Sequence, residues 1–201
     1  MKFIDAIDKF MHLVPGCPEA EAVDALRDAV IQFCVDSESW VYWVDKTSDT
    51  MTFPTDSAAQ QMPLTLVDAY IGQDQLDVID LNDVPTPPTG RTVLLWDPER
   101  VYDSIQLVPA PAAPVAVRLL LTWKPTQWAT DFPDHLWFSR AEALKAGALS
   151  RLLAVAGTSY ANPGAAQFHG ESFTAAINAA GASAGTNRRT RLRRLRVRPA
   201  E

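Results

Sequence analysis

Seven arginines stand between Arg188 and Arg198 with no acidic residue among them: Arg188, Arg189, Arg191, Arg193, Arg194, Arg196 and Arg198. A guanidinium group binds carboxylates and phosphates through paired N–H donors in a rigid fork, so the run is a candidate partner-binding segment. Leu192, Leu195 and Val197 are interleaved with it, and the leucines would add an apolar anchor in a groove. No aromatic is present to stack on bases, which disfavours base-stacking recognition. The segment reads as disordered alone and ordered on a partner.

Other residue types that could do chemistry are present but not assembled. His12, His135 and His169 are far apart. His135 and Ser139 stand four apart on a predicted helix without a positioned carboxylate, so the pair reads as a surface contact rather than a nucleophile and base. Asp74, Asp77, Asp80 and Asp83 recur every third residue, yet they lack the acid, glycine and glutamate positions of a calcium loop. On a strand that spacing alternates between faces, so these acids read as solvated strand ends. There is no Gly-rich phosphate loop, Cys-x-x-Cys or His-Glu-x-x-His motif. No catalytic residue, cofactor or metal is expected.

Charge is divided unevenly. Residues 1–187 hold 11 Lys+Arg and 23 Asp+Glu, a balance of −12, whereas residues 188–198 carry +7. A basic segment on an acidic body implies an acidic counterpart, whether nucleic acid, a membrane or a protein surface. With 47% hydrophobic and 21% charged residues the chain is neither disordered nor membranous by composition. Asp5 and Asp8 interrupt what a signal peptide would keep apolar, so the chain reads as soluble and unprocessed. If one helix spans Cys17 and Cys34, it holds them about 25 Å apart, well beyond the roughly 7 Å a disulfide allows, which fits a reducing compartment.

The elements that must position these groups follow from periodicity. Phe3, Ile7, Phe10, Met11 and Val14 have helical spacing until Pro15-Gly16 stops it. A second helix begins near Pro18, with Glu19 and Glu21 at its positive end and Val23, Leu26, Val30, Phe33 and Cys34 on one face. From Ser39 the pattern changes to strands: Trp40 to Asp45, Leu64 to Ile71, Leu76 to Leu81, Thr92 to Trp96, Ser104 to Val108 and Val115 to Trp123. The proline-rich stretches 84–90 and 109–114 read as rigid loops between strands. Trp40, Trp43, Trp96, Trp123 and Trp128 fall in this region and are expected to fill a β core or a subunit contact. After Pro133 the helical period returns, with Asp134 as N-cap and Leu136, Leu144, Ala148, Leu152 and Val155 on one face until Gly157. A last helix follows Asn162-Pro163, carrying Ala166, Phe173, Ala176, Ile177 and Ala180, and residues 181–185 read as a hinge.

The expected fold is α+β: a helical bundle interrupted by an inserted antiparallel β domain, with an extended basic C-terminal arm. The expected divisions are N-terminal bundle helices over 1–38, the β domain over 39–132, C-terminal bundle helices over 133–182, and hinge and arm over 183–201.

Several segments together resemble the head-to-tail adaptor (connector) proteins of tailed bacteriophages. Val14-Pro15-Gly16-Cys17-Pro18, then Ala25 to Ala29 and Phe33-Cys34 before Trp40, are similar to that family's N-terminal signature. Leu107-Val108-Pro109-Ala110-Pro111 followed by Val115 to Arg118 resembles its β segment. Pro133 to Leu136 and then Ala146 to Leu149 with Leu152-Leu153 resemble a bundle helix, and Phe168 and Phe173 lead into an alanine-rich helix and a basic end. The likeness runs from residue 14 to about 198, leaving residues 1–13 unaligned.

The resemblance implies a virion protein at the portal vertex, present in host cytoplasm during assembly. It implies a ring, usually of twelve subunits, between portal and tail or nozzle proteins, through which DNA passes without specific binding. It also implies a C-terminal arm that grips the portal or a neighbouring subunit. The charges suit that role: an acidic wall repels the duplex, while arginines reach acidic protein surface. Extended, residues 186–201 would span at most about 55 Å. The alternative is a nucleic-acid-binding module whose arm grips DNA phosphates. An enzyme is the least supported reading, because nothing nominates a pocket, and no membrane partner is expected.

Overall fold

The computed structural model describes residues 1–53, 59–80, 92–97, 99–101 and 103–196, with side chains through residue 185. It is α+β, with helices at the two ends of the chain and a β module between them. The chain divides into two compact units, Met1–Ser39 with Thr130–Glu201, and Trp40–Ala129. Among the described residues no helix is long and apolar enough to cross a membrane.

The first unit is helical. Helix α1 spans Phe3–Ile7, and the Met11–Leu13 segment is a single 3-10 turn, so the expected continuous helix over 3–14 is broken near Phe10. The apolar spacing survives the break, because Phe3, Ile7, Phe10 and Val14 are all buried. Helix α2, Glu19–Ser37, starts after Pro18 and ends at Glu38, which takes the left-handed conformation at φ 45°. Its buried face includes Ala22, Ala25 and Ala29 as well as Leu26, Val30, Phe33 and Cys34. Both cysteines are free and buried.

Helix α3 covers Asp134–Leu153 and departs from helical angles at Arg140. Pro133, not Asp134, occupies its N-cap position: Pro133 supplies the extended backbone there, and Asp134 is the first helical residue. At the other end the helix stops at Leu153, so Val155 lies beyond it and is exposed rather than on the apolar face. Helix α4 runs from Pro163 to Arg196.

Strands β1 (Val41–Thr47), β2 (Gln61–Ile71), β3 (Asp74–Gln75), β4 (Asp77–Asp80), β5 (Val93–Trp96), β6 (Gln106–Val108) and β7 (Ala116–Pro125) form the second unit. Six of them lie where alternation places strands, and β3 is too short to show a period. One sheet has the order β1-β7-β2-β3 and is antiparallel throughout. In the other, β4 pairs with β5 in parallel and β5 with β6 antiparallel. A parallel pair needs a connection of about a dozen residues, which residues 81–92 supply. Val117, Leu119, Leu121 and Trp123 of β7 are buried. Tyr42 stacks on Trp123 at 4.6 Å, and Phe53 meets it edge-on at 5.5 Å. Of the tryptophans expected here, Trp40 and Trp123 are buried, Trp43 and Trp96 are half-buried, and Trp128 is 54% exposed.

Candidate partner-binding interface

The arginine run is carried by α4, so its position depends on how that helix is held. Asn162 caps it: its side-chain oxygen accepts the Ala165 N–H at 3.1 Å, which satisfies one of the donors a helix start leaves unpaired. Ala166, Phe173, Ile177 and Ala180 are buried along one face. Phe173 is the centre of the packing. It approaches Phe33 of α2 at 6.3 Å between ring centroids, and it fills the space beside Gly147 of α3. A methyl group on Gly147 would come within 2.8 Å of the Phe173 ring and 2.9 Å of the Ala29 side chain. Three helices therefore meet where one has no side chain.

Arg151 closes the same region. One of its terminal nitrogens donates to the Gly147 carbonyl at 2.6 Å and the other to the Gln32 side-chain oxygen at 2.5 Å. Its guanidinium lies 5.6 Å from the Phe173 ring centroid. Partial burial lowers its pKa, and the nearby Asp28 carboxylate opposes that effect. At the other end of the contact, Gly181 lies against the backbone of Ser37. The expected hinge over 181–185 is thus absent: these residues are helical. Small residues that look flexible in sequence are here what lets two backbones approach.

Beyond this contact α4 continues to Arg196. Arg188, Arg189, Arg191, Leu192, Arg193, Arg194, Leu195 and Arg196 are on its last turns, and Arg198 lies outside the described residues. As helix, residues 186–196 have a reach of about 16 Å, far below the extended limit. Like charges three and four apart weaken a helix, whereas cations near its C-terminal carbonyls are favoured.

The helical unit also carries exposed acidic side chains on α2. Glu19, Glu21, Asp24, Asp28 and Asp36 of α2 are exposed. Glu21 accepts a hydrogen bond from the Tyr160 hydroxyl at 2.8 Å, which pushes the Tyr160 phenol up to about 12. Asp24 pairs with Arg27 at 2.6 Å, and Asp36 accepts from the Gln32 amide at 3.2 Å.

The remaining sequence candidates are not brought together. His12 and His135 are exposed and His169 is half-buried, each on a different element. Ser139 donates to the His135 carbonyl at 2.7 Å rather than to its ring. Asp74 and Asp77 are exposed, Asp80 is half-buried, and Asp83 lies outside the described residues. Among the described residues no three metal-ligating side chains converge. Phe138, 81% exposed on α3, is not among the residues that periodicity picks out, and Phe168 on α4 is 65% exposed. The signal at Phe138 was an aromatic off the apolar stripe of its helix.

Residues 1–198 match the family model described as SU10 adaptor protein. No curated protein matches the chain.

Proposed function

The chain belongs to the SU10 adaptor protein family, and from that premise we propose that it forms a ring, of twelve subunits, joining the portal to the tail. As a structural phage adaptor it has its place at the head–tail junction of the virion. In our reading the basic end of α4 docks on acidic surface of the portal or of the neighbouring subunit. The exposed Phe138 and Phe168 add apolar contact area to the helical unit. The acidic remainder of the chain lines the channel and repels DNA in transit, which matters most within a Debye length, about 8 Å at physiological salt.

The observation that carries the reading is the family match over nearly the whole chain, arm included. The division between a −12 body and a +7 segment supports it. Deleting residues 186–201 should abolish capture by immobilised portal. Full-affinity capture by the truncated chain would remove the arm from the mechanism.

The alternative, a DNA-binding module, predicts duplex affinity that falls with salt at a slope of about −0.9 per neutralised phosphate. Filter binding at two salt concentrations, run beside portal capture, separates the readings. Arginines without stacking aromatics, on a body that repels the duplex, favour the adaptor.

A further inference from the structure

Strand β1 lies at the edge of its sheet. The Trp40 carbonyl accepts from Trp123 N–H at 2.9 Å, and Ser48 N–H donates to the Val115 carbonyl at 2.9 Å. In an antiparallel pair hydrogen-bonded positions alternate, so Tyr42, Val44 and Lys46 bond inward to β7. Val41, Trp43, Asp45 and Thr47 therefore turn their backbone groups outward. Among the described residues nothing pairs with the outward groups of Val41, Trp43 and Asp45, while the Thr47 carbonyl accepts from Thr50 N–H at 2.9 Å.

Exposed edges are normally blunted by brevity, proline, bulges or charge. The other edge strands are short: β3 has 2 residues, β4 has 4 and β6 has 3. At 7 residues β1 has neither proline nor register shift, and the shifts in this sheet fall between β2 and β7. Its charges, Asp45 and Lys46, are adjacent and opposite in sign.

We propose that the outer edge of β1 docks on the β1 edge of a second copy of this chain, the two strands running antiparallel about Val44. In that register Trp43 faces Asp45 of the other copy on one side of the sheet, and Tyr42 faces Lys46 on the other. No like charges are opposed. Sliding the strands by one residue each, to centre on Asp45, sets two carboxylates opposite each other, which is destabilising. The outward N–H and C=O groups of Trp43 and Asp45 match those of their counterparts. The occupant is a second copy because the strand matches itself in length and hydrogen bonding, in a register that opposes no like charges. A two-fold contact of this kind pairs subunits and cannot close a ring. The pair is a state of the free protein that shields the edge before cyclic assembly.

Sedimentation equilibrium of the full chain from about 1 to 100 µM tests this, since a dimer gains with concentration. Asp45→Pro removes an outward donor while leaving the ladder to β7 intact, and should weaken the dimer by roughly tenfold or more. Asp45→Asn should leave it within about twofold. Hydrogen exchange on the unmodified chain provides a readout independent of whether Asp45→Pro folds. The Trp43 and Asp45 amides should become protected as concentration rises. A monomer throughout, an oligomer untouched by Asp45→Pro, or fast exchange of those amides at every concentration would overturn the proposal. Deleting residues 186–201 should leave this dimer intact, and its loss there would also overturn it. A failure here leaves portal docking by the arm untouched, because that assay reads a different surface.

Discussion

Helix α4 contains two stretches built on opposite rules. From Pro163 to Gly181 it is capped by Asn162, keeps a buried face of Ala166, Phe173, Ile177 and Ala180, and approaches α2 closely at Gly181. From Ala182 to Arg196 it gains arginines and loses the repeating apolar face. The first stretch is specified by what it packs against inside its own chain. The second carries charge with no counterpart in its own segment. One continuous helix thus joins a part that determines the fold to a part suited to a partner, and each can be perturbed separately.

The largest perturbation should come from the packed half. Phe173 is 4% exposed and meets two other helices, so Phe173→Ala should cost about 3–5 kcal/mol, read by urea denaturation of the full chain. Gly147→Ala adds only a methyl group, but neighbours at 2.8 and 2.9 Å should make it cost about 1–3 kcal/mol. A neutral result for Gly147→Ala would mean that the three-helix contact is looser than described.

Alkaline pH probes the same unit through Cys34, whose thiol is pushed by burial from 9.0 to about 12. The unfolded thiol therefore ionises first. Its contribution is fully present below pH 9 and is lost as pH rises toward 12. At pH 10.5 the loss is about 2 kcal/mol, from roughly 1.4 kcal/mol per pH unit. Denaturation midpoints across that window should fall less steeply for Cys34→Ala than for the unaltered chain, and equal slopes would refute the assignment.

Arg151→Met should cost about 1–2 kcal/mol, because two hydrogen bonds are lost from a half-exposed group while its packing on Phe173 is largely kept. This residue also shows why sequence reading had limits. Arg151 looks like an ordinary solvated helix residue, and its partner Gln32 is 119 positions away, so no local pattern could join them. The six longer strands were legible because alternating β-branched and aromatic residues have a period of two. The alanines of α2 and the small residues over 181–185 were ambiguous: alanine and glycine serve equally in close contacts and in loops, and only the neighbouring backbone of Ser37 decides. For the candidate interface, the arginine run stands out by composition alone, since clustered charge needs no tertiary information. Phe138 was not, because an aromatic off a stripe gains meaning only when its exposure is known.

The smallest effect on stability is expected where the charge is greatest. Among the described residues the close approach of α4 to α2 is at Gly181, and residues 182 and 183 are exposed. Deleting residues 186–201 removes like-charge repulsion among arginines and, with it, favourable charge near the helix C-terminus, each worth a few tenths of a kcal/mol. These contributions oppose one another, so the denaturation midpoint should shift by less than about 0.5 kcal/mol, while capture by portal is lost. A truncation that destabilises the chain by 2 kcal/mol or more would show that the basic stretch packs on its own chain. The distinction between the two parts of α4 would then fail, and the reduced capture could no longer be read as the loss of a binding surface.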